Sequence, residues 1–382
     1  MRVFLAAYPW DLLDDDLDAV LDRLRGEVGV TGLALWAASP AVLHVRSRPL
    51  DPRLVRSEGG LLFHAEDRHY AATRCKPVAA AWLKGKDPLG RIVSACDERG
   101  MEVRAVISAS RIGRMPQRHP ETACKNVFGA ESHVSICLAN PDVASFLCGL
   151  VSELSTSPPT AGVVIRDFDI AWAEAFSPEL RGLQVTDTAS RSLLSLCFCE
   201  SCRQGAGESG VDAAAACRSV EAMLQLSFDA GGPSQVGTAP TFSDDSPLGA
   251  FLRWRRDELG RLLGRLVQAC HGDLFLHRGV DRGSYASLDE AMISVPAGVI
   301  TRIENAAALP SAFASTARLN ELSLPEQFAV GPRGPELVST FSRAVELGFS
   351  GVEIDNFGLL PETAFAPIKQ AVRYARRSAE AG

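Results

Sequence analysis

Two stretches of this chain are versions of one pattern: Gly162-Val163-Val164-Ile165-Arg166-Asp167-Phe168-Asp169-Ile170 and Gly351-Val352-Glu353-Ile354-Asp355-Asn356-Phe357-Gly358-Leu359. Each opens on glycine, runs through a short apolar strand and ends in charged and polar residues before a Phe. Strand side chains alternate between faces, so Val163, Ile165, Val352 and Ile354 form one set and Val164, Arg166, Glu353 and Asp355 the other. If the apolar set faces surrounding helices, the charged set points into an enclosed interior. An Arg and two carboxylates there call for an ion pair, with Arg166 and Asp355 the expected partners.

Working outward, strands alternate with helices on both sides of these two. Residues 2–8, 29–37 and 102–108 read as strands one to three, and 162–169 as the fourth. Residues 274–277 and 298–304 follow, a weaker strand falls within 319–330, and 351–356 is the eighth. Helical periodicity fills 14–25, 88–99, 141–154, 248–270, 308–316, 336–347 and 361–378. Eight such units predict an α/β fold of the (β/α)8 TIM-barrel class, one domain over 1–382. Long excursions at 38–86, 109–138 and 170–247 follow strands two, three and four, which places all three on the C-terminal face where barrel enzymes keep their sites.

The composition is that of an ordinary soluble protein, with 46% hydrophobic and 22% charged residues and a net charge of −7. No basic run exceeds Arg253 to Arg256, which argues against nucleic acid, and no apolar run approaches a membrane span. The N-terminal apolar run is about six residues, shorter than a signal-peptide core. The expected location is therefore the cytoplasm, where the ten cysteines are thiols or metal ligands rather than disulfides. The sequence leaves the oligomeric state open, homo-oligomers included.

Within 170–247, Cys197-Phe198-Cys199-Glu200-Ser201-Cys202 sets three thiols at the spacing of a soft-metal site, and Zn²⁺ is the expected guest. Its fourth ligand is Cys137 or Cys124. Four cysteines would close the site and make the metal structural, pinning a zinc-binding subregion beside the barrel.

The acid–base candidates are Asp355 and Glu353 on strand eight, Asp167 and Asp169 ending strand four, and Glu304, with Glu321 and Glu326 near the seventh strand. Paired carboxylates across a barrel mouth suit glycosidic cleavage. For binding, Arg166, His64, His277 and Asn356 are candidates beside the aromatic residues Tyr8, Trp10, Trp36 and Trp172 at strand ends. The aromatic rings read equally as sugar platforms or as core.

Cys137-x-x-x-Pro141 followed by C-x-C-x-x-C at 197–202, around strand four of a barrel, is similar to the zinc-binding region of family 42 glycoside hydrolases (β-galactosidases). The segments 124–129, 136–143 and 193–199 also resemble a group of uncharacterised bacterial barrel proteins related to such hydrolases. The likeness covers about residues 87 to 203. It implies a structural zinc on Cys137, Cys197, Cys199 and Cys202. The family's Asn-Glu pair ending strand four is replaced here by Arg166-Asp167-Phe168-Asp169, and its strand-seven Glu nucleophile has no clear counterpart. The expectation is a glycoside hydrolase acting on a small glycoside or oligosaccharide. The alternatives are a non-hydrolytic carbohydrate- or metabolite-binding barrel, and a lyase or isomerase using His64 or His277 with Arg166 on an anionic substrate.

Overall fold

The computed structural model describes residues 1–48, 53–158, 160–168, 188–229, 242–279, 296–303, 309, 317–330 and 334–381. Eight parallel strands close on themselves: β1 (Arg2–Ala7), β2 (Gly32–Ser39), β3 (Glu102–Ser108), β4 (Gly162–Arg166), β5 (Asp273–Gly279), β6 (Gly298–Arg302), β7 (Leu319–Pro325) and β8 (Gly351–Asp355). Each pairs with its neighbours in chain order, and β8 returns to β1 in the register Arg2–Gly351 to Leu5–Ile354. The expected (β/α)8 barrel is the fold, and the ill-defined seventh strand is Leu319–Pro325.

The alternation divides the residues as the paired stretches imply. Val163, Ile165, Val352 and Ile354 join the large apolar layer between strands and helices. Val164, Phe275, Ile300, Ala6 and Ala34 fill the interior. At the N-terminal end the barrel is plugged by Glu321, which accepts from Arg104 at 2.5 and 3.0 Å and from Arg2 at 2.8 Å. The Arg104 guanidinium is sandwiched by Phe4 and Phe275, 3.8 and 3.9 Å from the ring centroids. Glu321 and Arg104 are fully buried, so each charge has a partner where water cannot solvate it, and Arg2 joins them half-buried.

The outer helices begin where capping chemistry allows. Asp16 caps α1 (Leu17–Asp22), which continues into a π turn at Arg23–Val28, so the periodicity from residue 14 starts three residues late. Asp87 and Asn140 cap α2 (Pro88–Asp97) and α3 (Pro141–Leu154), each with Pro at the first helical position, whose missing N–H needs no partner. In the region after β4 the described helices are α4 (Thr188–Leu194), α5 (Glu200–Glu208) and α6 (Ala213–Asp229). Beyond them lie α7 (Pro247–Ala269), α8 (Gly334–Glu346) and α9 (Phe365–Ala381). The helix expected at 308–316 lies outside the described residues, apart from residue 309.

The excursion after β2 carries a hairpin absent from the sequence reading, Val42–Val45 against Leu54–Ser57. Its two faces differ. Val42, His44, Val55 and Ser57 turn toward the barrel, while Leu43, Val45, Leu54 and Arg56 are exposed. A second hairpin, Ala123–Lys125 with Glu131–Ile136, follows β3. Among the described residues no helix is long and apolar enough to cross a membrane.

Candidate functional site

At the C-terminal mouth, Arg166 is the hub. Its Nη1 donates to Asp355 Oδ2 at 2.9 Å and its Nη2 to Glu353 Oε1 at 2.5 Å, so the expected cross-barrel pair is present with a second carboxylate added. Arg302 on β6 also donates to Asp355 Oδ2 at 2.9 Å. Burial raises the proton affinity of Asp355, but the guanidiniums of Arg166 and Arg302 outweigh it and hold the carboxyl below its usual range. Two residues deeper, burial outweighs Arg166, and Glu353 is shifted upward. One strand thus carries two carboxyls shifted in opposite directions, Asp355 downward at the mouth and Glu353 upward beneath it.

On the opposite side Asp167, the residue after β4, has φ 54°, a left-handed backbone that turns the chain sharply out of the strand. Its Oδ2 accepts from Ser108 Oγ at 2.7 Å, its Oδ1 accepts from Arg111, and its backbone carbonyl accepts from Ser110 Oγ at 2.7 Å. His277 faces inward on β5, one position past the Leu276–Ile165 pairing and therefore beside Arg166.

The aromatic residues form a stack. Tyr8 lies between Trp10 and Trp36, with centroids at 4.6 and 5.4 Å and planes within 8°. The Arg166 guanidinium stands 5.1 Å from the Trp36 ring centroid, and His44 of the first hairpin meets the Tyr8 edge at 4.8 Å. The ring faces read as sugar platforms are thus largely covered by one another, and the stack serves as a wall of the mouth. Burial, then the charge of Asp355, holds the Tyr8 phenol well above its usual value, so it keeps its proton.

Three expected site residues stand elsewhere or in other employment. His64 is exposed on the segment leading to Glu66, whose N–H donates to Glu153 at the far end of α3, away from the mouth. The Asn356 side chain caps a turn by accepting from the Gly358 N–H at 2.9 Å. Glu321 belongs to the plug at the barrel's other end. Asp169, Trp172 and Glu304 lie outside the described residues. The sequence reading missed Arg302 and Arg111, the partners of Asp355 and Asp167. The alternation that placed Arg166 inside would also have found Arg302, which ends its strand two residues after the inward Ile300.

Beside the barrel, Cys137, Cys197, Cys199 and Cys202 are all buried, and their sulfurs lie within 4.8 Å of one another. A tetrahedron of sulfurs about 2.3 Å from a central zinc has edges of about 3.8 Å, so this cluster suits such an ion. Cys199 stands just before α5, Cys202 lies in its first turn, and Cys137 precedes the cap of α3. Asn140 Nδ2 donates to Ser201 Oγ at 3.1 Å, tying the two helix starts together. Hydrogen bonds from Cys124 and the other thiols draw Cys137 well below the usual thiol range. Arg255 on α7, itself buried, donates to Cys202 Sγ at 3.0 Å and Cys137 Sγ at 3.5 Å. Four thiolates around a divalent ion carry two surplus negative charges, and Arg255 offsets one of them. Of the two cysteines expected as alternatives, Cys137 is the one grouped with Cys197, Cys199 and Cys202 in a set that could hold an ion, and Cys124 adjoins that set.

No protein-family model matches the chain, and no curated protein matches it in sequence. Solved structures do share the fold. An α-L-fucosidase isoenzyme 2 from Paenibacillus thiaminolyticus aligns over 100% of this chain and 50% of its own, with TM-score 0.57 and 11% identity. A β-galactosidase from the psychrophilic Marinomonas ef1 aligns over 100% and 60%, with TM-score 0.55 and 12% identity. A polyextremophilic β-galactosidase from the Antarctic haloarchaeon Halorubrum lacusprofundi aligns over 98% and 58%, with TM-score 0.55 and 11% identity. The chain therefore spans half to three-fifths of these proteins, and the likeness is one of fold.

Proposed function

We propose that this barrel is a glycoside hydrolase whose chemistry rests on Asp355, with Asp167 as the carboxyl partner across the mouth. The observation that carries the reading is Asp355 itself, held ionised between Arg166 and Arg302 at the C-terminal end of β8. An ionised carboxylate there can attack an anomeric carbon or draw a proton from water. In this reading Asp167, the residue after β4 across the mouth from β8, exchanges a proton with the leaving oxygen. Glu353 positions Arg166, and Tyr8 offers a phenolic proton beside the aromatic wall. The three fold relatives named above are a fucosidase and two galactosidases, which supports a sugar as substrate.

The lyase or isomerase reading asks Arg166 to hold an anionic substrate, yet both its terminal nitrogens are engaged by carboxylates. The four-cysteine cluster is read as a structural zinc site held by Cys137, Cys197, Cys199 and Cys202. The metal would fix the start of α5 against α3 and take no part in bond cleavage.

Release of nitrophenol from a panel of aryl fucosides, galactosides, glucosides and hexuronides tests the proposal. At least one should be turned over by the wild type, and D167N and D355N should each lower kcat by about 10²- to 10⁴-fold. Undiminished turnover in D355N would remove Asp355 from the chemistry.

A further inference from the structure

Outside the mouth a cleft of about 1150 Å³ lies between the exposed face of the first hairpin and the loop that follows β3. Its charged and titratable lining is one-sided: Arg56, Arg111, Arg114, Arg118 and His133 against Glu58. A protein with net charge −7 has not gathered four guanidiniums here by average composition. Glu58 takes Arg114 at 3.6 Å, and Arg111 holds Asp167. Arg56 and Arg118 are exposed, and among the described residues neither meets a carboxylate. A smaller adjoining cavity of about 390 Å³ shares Arg114 and Arg118 and adds Lys76 and His119, extending the positive surface.

The hairpin wall is largely apolar around Arg56. Leu43 and Leu54, 65% and 55% exposed, line the cleft on the strands that also bring Arg56 to it. Guanidinium forks beside an apolar wall suit a ligand with anionic groups that offer two oxygens to each fork, and with hydrophobic ring faces. The cleft also adjoins the mouth, because Arg111 lines it while its guanidinium reaches Asp167 at the end of β4.

We infer that this cleft binds the anionic part of the substrate, a saccharide bearing carboxylate or sulfate groups, while the bond to be cleaved lies at the barrel mouth. The inference rests on the sugar-hydrolase reading and narrows it to acidic glycans. Arg56 and Arg118 would bind the anionic groups, Leu43 and Leu54 would meet the ring faces, and Arg111 would join this subsite to Asp167.

Isothermal titration of the full chain with thio-linked tetrasaccharides, which resist hydrolysis, tests it without requiring turnover. Three ligands of equal length are compared: a galacturonide, a sulfated galactoside and a neutral galactoside. One charged ligand should bind about tenfold or more tightly than the neutral one, and its identity separates carboxylate from sulfate. The R56Q/R118Q variant, whose substitutions are at exposed positions, should lose that preference, as should the wild type between about 50 and 300 mM salt. Equal binding of charged and neutral ligands, or an unchanged preference in R56Q/R118Q, would overturn the subsite. So would a single-stranded oligonucleotide of equal charge that binds as tightly through the same arginines. The two readings fail separately: an active hydrolase indifferent to charge refutes the cleft alone, whereas charge-dependent binding without hydrolysis of any glycoside refutes the chemistry alone.

Discussion

Asp11 shows how closely one residue can tie stability to pH. Its carboxylate accepts from the Tyr8 N–H at 3.2 Å and meets Arg46 at 3.4 Å, and Gly358 closes over it where a Cβ would come within 2.4 Å. Burial, only partly countered by the Tyr8 N–H and Arg46, pushes its pKa up to about 6 from the ordinary 3.8. Below pH 3.8 the folded and unfolded chains are both protonated at this position. Between that point and about pH 6 the unfolded chain ionises first, so stability falls as pH rises and then levels off. D11N keeps the acceptor without the titration. Wild-type stability relative to D11N should therefore drop by about 2 kcal/mol from pH 4 to 6, measured by urea unfolding at each pH. A constant difference across that range would show that Asp11 ionises normally in the fold.

At the scale of elements, the cysteine cluster joins the start of α5 to the start of α3. Purified protein should carry about one zinc per chain, and C197S should lose it together with about 5 °C or more of Tm. C124S should keep the metal, because Cys124 adjoins the four sulfurs instead of completing them; parallel elemental analysis and calorimetry decide both points. This element was legible in the sequence because C-x-C-x-x-C is a local spacing. Its fourth member was legible only as a choice between Cys137 and Cys124, with the family resemblance pointing to Cys137, because Cys137 and Cys202 meet only through tertiary packing, and Arg255 gave no sign of being buried against sulfur. The hairpin after β2 was also missed, because Val42–Val45 and Leu54–Ser57 are four-residue strands whose two faces are covered unequally. Arg166 and Asp355, by contrast, were predicted as partners from alternation alone, because a closed barrel gives inward-facing charges few places to go.

For the molecule as a whole, the barrel is held at its N-terminal end by the plug and does its proposed work at the other. E321Q would leave Arg104 buried without its counter-charge, and the fold should lose about 3–5 kcal/mol in urea unfolding while turnover per folded molecule stays near wild type. The same barrel lets the ends of β4 and β8 present Asp167 and Asp355 from separate walls, which is why two similar stretches nearly two hundred residues apart decide the fold and carry the proposed site. Strand alternation already implied Arg302 inside the barrel; what the sequence could not convey is Arg111 on Asp167 and three aromatic rings stacked on each other. The measurement that bears most directly on Asp355 as the carboxylate acting on the sugar is chemical rescue. With an activated aryl glycoside that the wild type hydrolyses, D355G should be slower by about 10²- to 10⁴-fold, and added formate or azide should restore part of the lost rate. Wild-type turnover in D355G, or a loss that the anions leave untouched while they rescue D167G, would contradict the account.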